Sequence, residues 1–183
     1  MKTNILKRYL LLIFSLSTLY SCVDNLNFDQ IEYSANPVFN SPIISFDLNQ
    51  NNFIDPNTNT DIPTVLDVTD FTYLDNSFVR DNLEKVELNF EINNQFDNRS
   101  FSFFIEFLDA NDNATHPVIN FITQPNQLLV PPIETILISN NQDFLRTRKI
   151  RVRIEMSTGT VPLSPTVIQN LSFKSAGTFY VRT

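Results

Sequence analysis

The sequence predicts an all-β protein built as an antiparallel β-sandwich, and three observations support this fold class. Short stretches in which apolar and polar residues alternate recur along the chain, and each predicts a strand with one buried face. Segments rich in Asn, Asp and Pro separate these stretches at roughly even spacing, as is typical of sandwiches. No stretch has the sustained periodicity of a long amphipathic helix. An immunoglobulin-like strand order is expected first, and a jelly roll is the alternative.

The first elements follow a polar segment, residues 23–42, that contains two prolines and reads as a tether. Alternation of apolar and polar residues over 44–48 predicts the first half-buried strand, and 65–73 predicts a second extended stretch. Residues 75–83 predict one helical turn whose Phe78 and Leu83 point inward.

The clearest strands are residues 85–92, 101–107 and 150–156, in each of which every second residue is apolar. The chain has 17 Phe and no Trp, and Phe carries no polar group, so most of these rings should fill a core. One shared core is predicted for six residues of these three strands: Leu88, Phe90, Phe103, Ile105, Val152 and Ile154.

The remaining elements are less regular. Residues 118–122 predict the return strand of a hairpin, and 128–139, interrupted by Pro131 and Pro132, predicts an edge or a crossing between sheets. Residues 140–146 predict a helical turn. The last strand is expected over 171–181, bent at Gly177.

The amino terminus carries an export signal. Lys2, Lys7 and Arg8 precede an apolar run, residues 9–19, which is about half the ~20 residues that a membrane-spanning helix needs. The run ends in Leu-Tyr-Ser-Cys, residues 19–22, which resembles the lipobox of bacterial lipoproteins. That resemblance implies cleavage before Cys22 and acylation of its thiol. Cys22 is the only cysteine, so lipidation also explains an otherwise unpaired thiol in an exported chain.

These features divide the chain into a lipoprotein signal peptide (1–21), a lipidated Cys22 with a short tether (22–42) and one sandwich domain (43–183). Abundant Asn, Phe and Ile with only two Gly make the composition similar to that of Bacteroidota-type outer-membrane lipoproteins. The resemblance implies a lipid-anchored protein of the outer membrane, on either the periplasmic or the cell-surface face. It brings no active site with it.

Charge excludes nucleic acid as a partner. Removal of the signal leaves 10 basic and 20 acidic residues, a formal charge of −10, whereas phosphate backbones require a basic footprint. The charges are also segregated, because residues 22–143 hold 19 acidic and three basic residues while 144–183 hold seven basic residues and only Glu155.

Catalytic and metal chemistry have little support in the sequence. His116, the only histidine, has no nucleophile-elbow motif beside it, and one His with one lipidated Cys makes a zinc site improbable. No pair among the 20 acidic residues stands out as a glycosidase pair. No cofactor is expected.

Two loops share an Asp-x-Asn-x-Asn spacing that resembles part of a calcium loop. Both lack the glycine and the distal glutamate of that motif. Turn formation in a glycine-poor chain explains them more simply, so no metal site is predicted. The weak candidates are Asp55, Asn57, Asn59 and Asp61, ahead of the loop that begins at Asp109.

The candidate binding residues come from two strands. Phe104 and Leu108, with Glu106 between them, should face outward if Phe103 and Ile105 face inward. Either a tether segment or a loop covers them, or they form an exposed apolar patch of the kind that commonly marks an interaction site. Lys149, Arg151 and Arg153 share one strand face. They are expected to pair with Glu87 and Glu91 on a neighbouring strand, or else to form a basic patch for an acidic partner or lipid headgroups.

The function expected from the sequence is a non-catalytic accessory or partner-binding module of an outer-membrane or periplasmic assembly. A surface lipoprotein that binds a glycan or another nutrient is the alternative, although the chain lacks Trp as a sugar platform. A hydrolase ranks third.

Overall fold

A computed structural model describes residues 36–183, which belong to one compact unit. Cys22, the signal peptide and most of the predicted tether lie outside the described residues. The described part of the chain forms nine strands and one short α-helix: β1 (Val38–Asn49), β2 (Thr64–Asp70), α1 (Ser77–Asn82), β3 (Leu83–Asn94), β4 (Phe101–Leu108), β5 (Ile119–Thr123), β6 (Gln127–Leu129), β7 (Glu134–Leu137), β8 (Lys149–Met156) and β9 (Asn170–Val181). It also has two 3-10 helices, Gln50–Phe53 and Gln142–Arg146, and the second confirms the helical turn predicted over 140–146. No helix in this part of the chain is both long and apolar enough to cross a membrane.

The strands form two antiparallel sheets, which confirms the predicted sandwich. The first sheet has the order β1-β9-β3, with β6 and β7 both paired to β3, and the second has the order β2-β8-β4-β5. The pairs β1·β9, β2·β8, β3·β7 and β4·β5 are nested like one long hairpin, and the pairs β3·β9 and β4·β8 form where that hairpin rolls up.

This order is that of a jelly roll, so the immunoglobulin-like order expected first is wrong. In the immunoglobulin arrangement the first strand lies beside the second. Here β1 lies beside the last strand, and β2 belongs to the opposite sheet. Long-range pairing decides between the two arrangements, whereas local alternation is the same in both.

The predicted core is confirmed. Its six residues share one cluster with the inner faces of β1, β5, β7 and β9. Aromatic rings dominate the contacts between the sheets: Phe103 of the second sheet stacks on Phe173 of the first, with 5.4 Å between ring centroids.

The first sheet has a divided edge, as the prolines predicted. β6 pairs with the Ile92–Asn94 end of β3, and β7 pairs with its Lys85–Leu88 end. Pro131 and Pro132 occupy the interval. Proline cannot donate to a strand ladder, so the edge is interrupted at that point.

Three local expectations differ from the structure. β1 begins at Val38, six residues earlier than expected, because β9 is long enough to pair with it as far as Tyr180, and a bulge follows Pro42. Phe78 is 51% exposed, whereas Leu83 is buried as predicted. Gly177 causes no break in the pairing of β9 with β3. A side chain there would instead come within about 3 Å of the Phe179 ring and Ile43, so close packing explains the glycine.

Candidate partner-binding surface

The outer face of the second sheet brings the predicted binding residues together. β4 and β8 are neighbours, and their pairing places Phe104 opposite Arg153 and Glu106 opposite Arg151. The two groups of candidates, proposed separately from the sequence, therefore form one surface. We call it the β4–β8 face.

The cations of this face pair with carboxylates close by, and the expected pairing with Glu87 and Glu91 is wrong. Lys149 contacts Asp112 at 2.9 Å, Arg151 contacts Glu106, and Arg153 contacts Glu155. The hydrogen bond from Arg151 to Glu106 also raises the pKa of the guanidinium.

Glu87 and Glu91 lie on the first sheet, where they pair with Lys85 and Lys174. Periodicity showed that the residues on β8 share a face, but the sheet order decided which carboxylates Lys149 and Arg151 meet, whereas Arg153 pairs with Glu155 of its own strand. The three cations of β8 are each compensated, so the expectation of a basic patch on this strand is not supported.

Leu108 is not available as a binding residue. It is 2% exposed, because it lies between Ala114 of the returning chain and Lys149 of β8, so of the two alternatives the structure has the covering loop. Phe104 is half-buried, and the Arg153 guanidinium lies over its ring at 4.1 Å from the centroid. Such cation–π contacts cover part of the ring and hold the arginine in place.

Three exposed apolar residues that were not predicted flank this charged centre. Leu66 and Val68 of β2 lie opposite Arg153 and Arg151, and Ile122 of β5 lies opposite Ser102. Their exposed fractions are 57%, 49% and 61%. In β2 both Val65 and Leu66 are apolar, so alternation alone leaves the inner face undecided. Ile122 lies two residues after the polar Asn120, so both are on the same face of β5. The exposure of Ile122 could have been predicted from that spacing.

The Asp/Asn loops stabilise their own turns. Asp55 Oδ1 accepts hydrogen bonds from the backbone N–H groups of Asn57 and Thr58, and the bond from Asn57 is the main cause of the lowered pKa of Asp55. Asn59 adopts the left-handed conformation, with φ of 53°. Asp61 turns away to pair with Arg99 at 2.9 Å.

The second such loop behaves in the same way. Asp109 Oδ1 accepts from the backbone of Asn111 and Asn113, and the bond from Asn113 is the first cause of its lowered pKa. Within residues 36–183, no three His, Cys, Asp or Glu side chains are grouped to hold a metal ion. A guanidinium beside Asp61 also disfavours a cation there.

His116 has a structural role in the loop before β5. Its Nδ1 lies 2.6 Å from the side-chain nitrogen of Asn141, and its ring packs edge-on against Phe107 and Phe144. Burial is the main cause of its lowered pKa, and Glu134, 3.8 Å from Nε2, opposes that effect. His116 therefore links the loop before β5 to the segment that leads into β8.

Comparison with known proteins yields a distant likeness to solved structures. No family model matches the chain, and no curated protein matches it. The structure of infectious bursal disease virus Gx strain has 7% sequence identity and a TM-score of 0.43, covering 81% of this chain and 33% of that one. The T13 particle of the same virus gives 9% identity and a TM-score of 0.43, over 81% and 32% of the two chains.

The enzymatically active domain of bacteriophage CBA120 tailspike protein 4 gives 10% identity and a TM-score of 0.37. That match covers 78% of this chain and 19% of the tailspike chain. The chain thus spans about a third of the viral chains and a fifth of the tailspike.

Proposed function

We propose that this protein is a lipid-anchored, non-catalytic binding module of the bacterial outer membrane, attached through Cys22, whose β4–β8 face docks a partner protein. The lipobox-like residues 19–22 and the solitary cysteine support the anchor. The anchor is a proposal from the sequence, since Cys22 lies outside the described residues.

The observation that carries the binding role is the composition of the β4–β8 face. A centre of ion pairs and one stacked arginine–aromatic pair is flanked by the exposed side chains of Leu66, Val68 and Ile122. Arg and aromatic residues are enriched at protein interfaces, and fully paired charges there can help orient the partner. The exposed apolar flanks supply surface whose burial favours association.

Crosslinking in intact cells followed by mass spectrometry tests this proposal. Leu66→Ser and Ile122→Ser should lose the crosslinked partner while the purified protein keeps its melting temperature, because both side chains are mostly exposed. Leu137→Ser is the matched control, since Leu137 is a 44% exposed leucine on the first sheet. If Leu66→Ser and Ile122→Ser both crosslink as well as the Leu137→Ser control, the β4–β8 face is not the docking site.

One feature favours the alternative function, a glycan-binding surface lipoprotein. The outer face of the first sheet has a cleft of about 400 Å³ lined by Asp47, Asn93, Gln95, Asn170 and Ser172. Amide side chains present both donors and acceptors, as recognition of sugar hydroxyl groups requires. Calorimetric titration with oligosaccharides, using Asn93→Ala as the variant, tests this second function. No heat of binding from any of them would remove it.

A further inference from the structure

A second exposed surface lies at one end of the sandwich, on the loop that joins β8 to β9. This loop, residues 157–169, which we call the distal loop, contains no charged residue. Val161, Val167 and Ile168 are 60%, 50% and 80% exposed. Single exposed apolar residues are ordinary, but here three of them lie in one uncharged loop of an acidic protein.

The distal loop is held from inside by a buried arginine. Arg99 is fully buried, and its guanidinium donates to Asp61 at 2.9 Å and to the carbonyl oxygen of Val161. The other oxygen of Asp61 accepts from the Leu163 N–H at 3.0 Å. Gly159 lies so close that a β-carbon there would be 1.3 Å from Arg99 Nη1. The loop backbone is therefore shaped around this guanidinium.

A second buried side chain fixes the other half of the loop. Gln50 is 3% exposed, and its amide donates to the Pro165 carbonyl at 3.3 Å and accepts from the Gln169 N–H at 3.1 Å. Between these anchors, Leu163 is buried in the core.

The distal loop therefore exposes three apolar side chains while contacts from Arg99 and Gln50 hold its backbone in place. Ordering a loop before binding removes an entropic cost from association. A buried ion pair contributes little net stability. The pair of Arg99 and Asp61 therefore matters more for fixing one conformation of the loop than for the overall stability of the domain.

The position of the loop indicates what it meets. β1 and β9 are antiparallel, with Val38 opposite Tyr180 and Asn49 opposite Asn170. The 12 residues of β1 therefore separate the Val38 end, where the chain enters the domain, from the distal loop by roughly 36 Å, at ~3.3 Å per residue. An anchor at Cys22 holds the domain by the Val38 end, so the distal loop lies at the end away from the point of attachment, where a partner protein can reach it. This step rests on the proposed lipid anchor.

Charge around the loop specifies the partner further. The carboxylate of Asp97 accepts from the side chain of Gln169, the last loop residue, at 3.2 Å. Asp55 lies on the neighbouring loop, whose Asp61 bonds the backbone of Leu163, and it supplies a second carboxylate on this side of the domain. The nearby cation, Arg99, is buried beneath the loop. An uncharged apolar centre with a carboxylate rim is complementary to an apolar surface rimmed by Lys and Arg.

We propose that the distal loop is a docking site for a protein surface that has an apolar centre and a basic rim. Photo-crosslinking in intact cells tests this, with a benzophenone amino acid placed at Ile168 of the full-length protein. The same group at Ile122 of the β4–β8 face reports separately on the proposed function.

The expected result is a protein crosslink from Ile168 whose attachment peptide contains Lys or Arg beside apolar residues. Asp97→Lys should lower the yield by about tenfold, because it reverses the charge of the rim. Val161→Ser should lower it as well and leave the melting temperature unchanged, since the side chain is exposed. Neither change should alter crosslinking from Ile122.

Several outcomes would overturn the inference. They are no crosslink from Ile168, a crosslink to lipid or to a second copy of this chain, and a protein crosslink that Asp97→Lys leaves unchanged. A crosslink from Ile122 without one from Ile168 rejects the distal loop but leaves the proposed function standing. A partner at Ile168 in a chain whose Cys22 carries no lipid supports the docking site and rejects the anchor.

Discussion

Replacing Asp61 with asparagine tests whether the buried Arg99 depends on its carboxylate. The substitution keeps the shape of the side chain and an oxygen that can still accept from the Leu163 N–H. It removes the negative charge 2.9 Å from a guanidinium whose exposure is 0%. Arg99 would then be a buried cation supported by neutral acceptors, and its Nε–H already has no hydrogen-bond partner among residues 36–183.

Removing one partner of a buried ion pair costs 3–5 kcal/mol in other proteins. The Asp61 side chain is 28% exposed, so water already screens part of the interaction. The lower end, about 3 kcal/mol, is the expected loss in the free energy of unfolding. Asp143→Asn is the control, because its pair with Arg146 is 60–70% exposed and should contribute less than about 1 kcal/mol.

Urea unfolding followed by circular dichroism measures both losses, and hydrogen exchange shows where the structure opens. In Asp61→Asn the amides of the distal loop should exchange faster, while those of β3 and β8 change only with global stability. Adding Arg99→Met should restore part of the loss, because the uncompensated charge is then gone. A cost below about 1 kcal/mol for Asp61→Asn would refute the reasoning and mean that Arg99 is solvated.

Four further predictions follow from the same structure and sequence. Cys22→Ala should abolish labelling of the protein by an acyl-chain analogue in cells, and equal labelling would exclude the anchor. Phe103→Ala should cost about 3–5 kcal/mol in urea unfolding, because Phe103 is fully buried and stacked on Phe173; a loss below ~1 kcal/mol would contradict the core assignment. Burial lowers the pKa of His116, so the unfolded chain binds its proton first; stability should fall as the pH drops below about 6.5, and His116→Gln should flatten that slope between pH 7 and 5. A chelator should leave the melting temperature unchanged, and a decrease restored by calcium would make the Asp55 loop a metal site.

Strand faces could be predicted wherever alternation was strict. In β3, β4 and β8 every second residue is apolar, and the core residues on these strands are buried as expected. Exposure could not be predicted where a segment distant in the sequence covers a strand. Leu108 continues the outward series of Phe104, yet the chain that returns at Ala114 covers it.

The candidate surface shows the same limit. Lys149, Arg151 and Arg153 were predicted to share a face, and they do. The partners of Lys149 and Arg151 lie on a turn and a strand that the jelly-roll order places beside β8, whereas Arg153 pairs with Glu155 of β8 itself. Arg99 carried no signal in the sequence that distinguished it from a surface arginine. Its burial depends on Asp61 and Val161, which are 38 and 62 residues away along the chain.

The sequence by itself determined the all-β class and the inward faces of the regular strands, because these depend on local alternation and residue type, whereas the export signal stays a prediction. Only the tertiary structure decided the jelly-roll order, the burial of Arg99 and the shape of the distal loop. Each of these results from contacts between segments far apart in the chain, and nothing in a local pattern specifies which distant segment will be the neighbour.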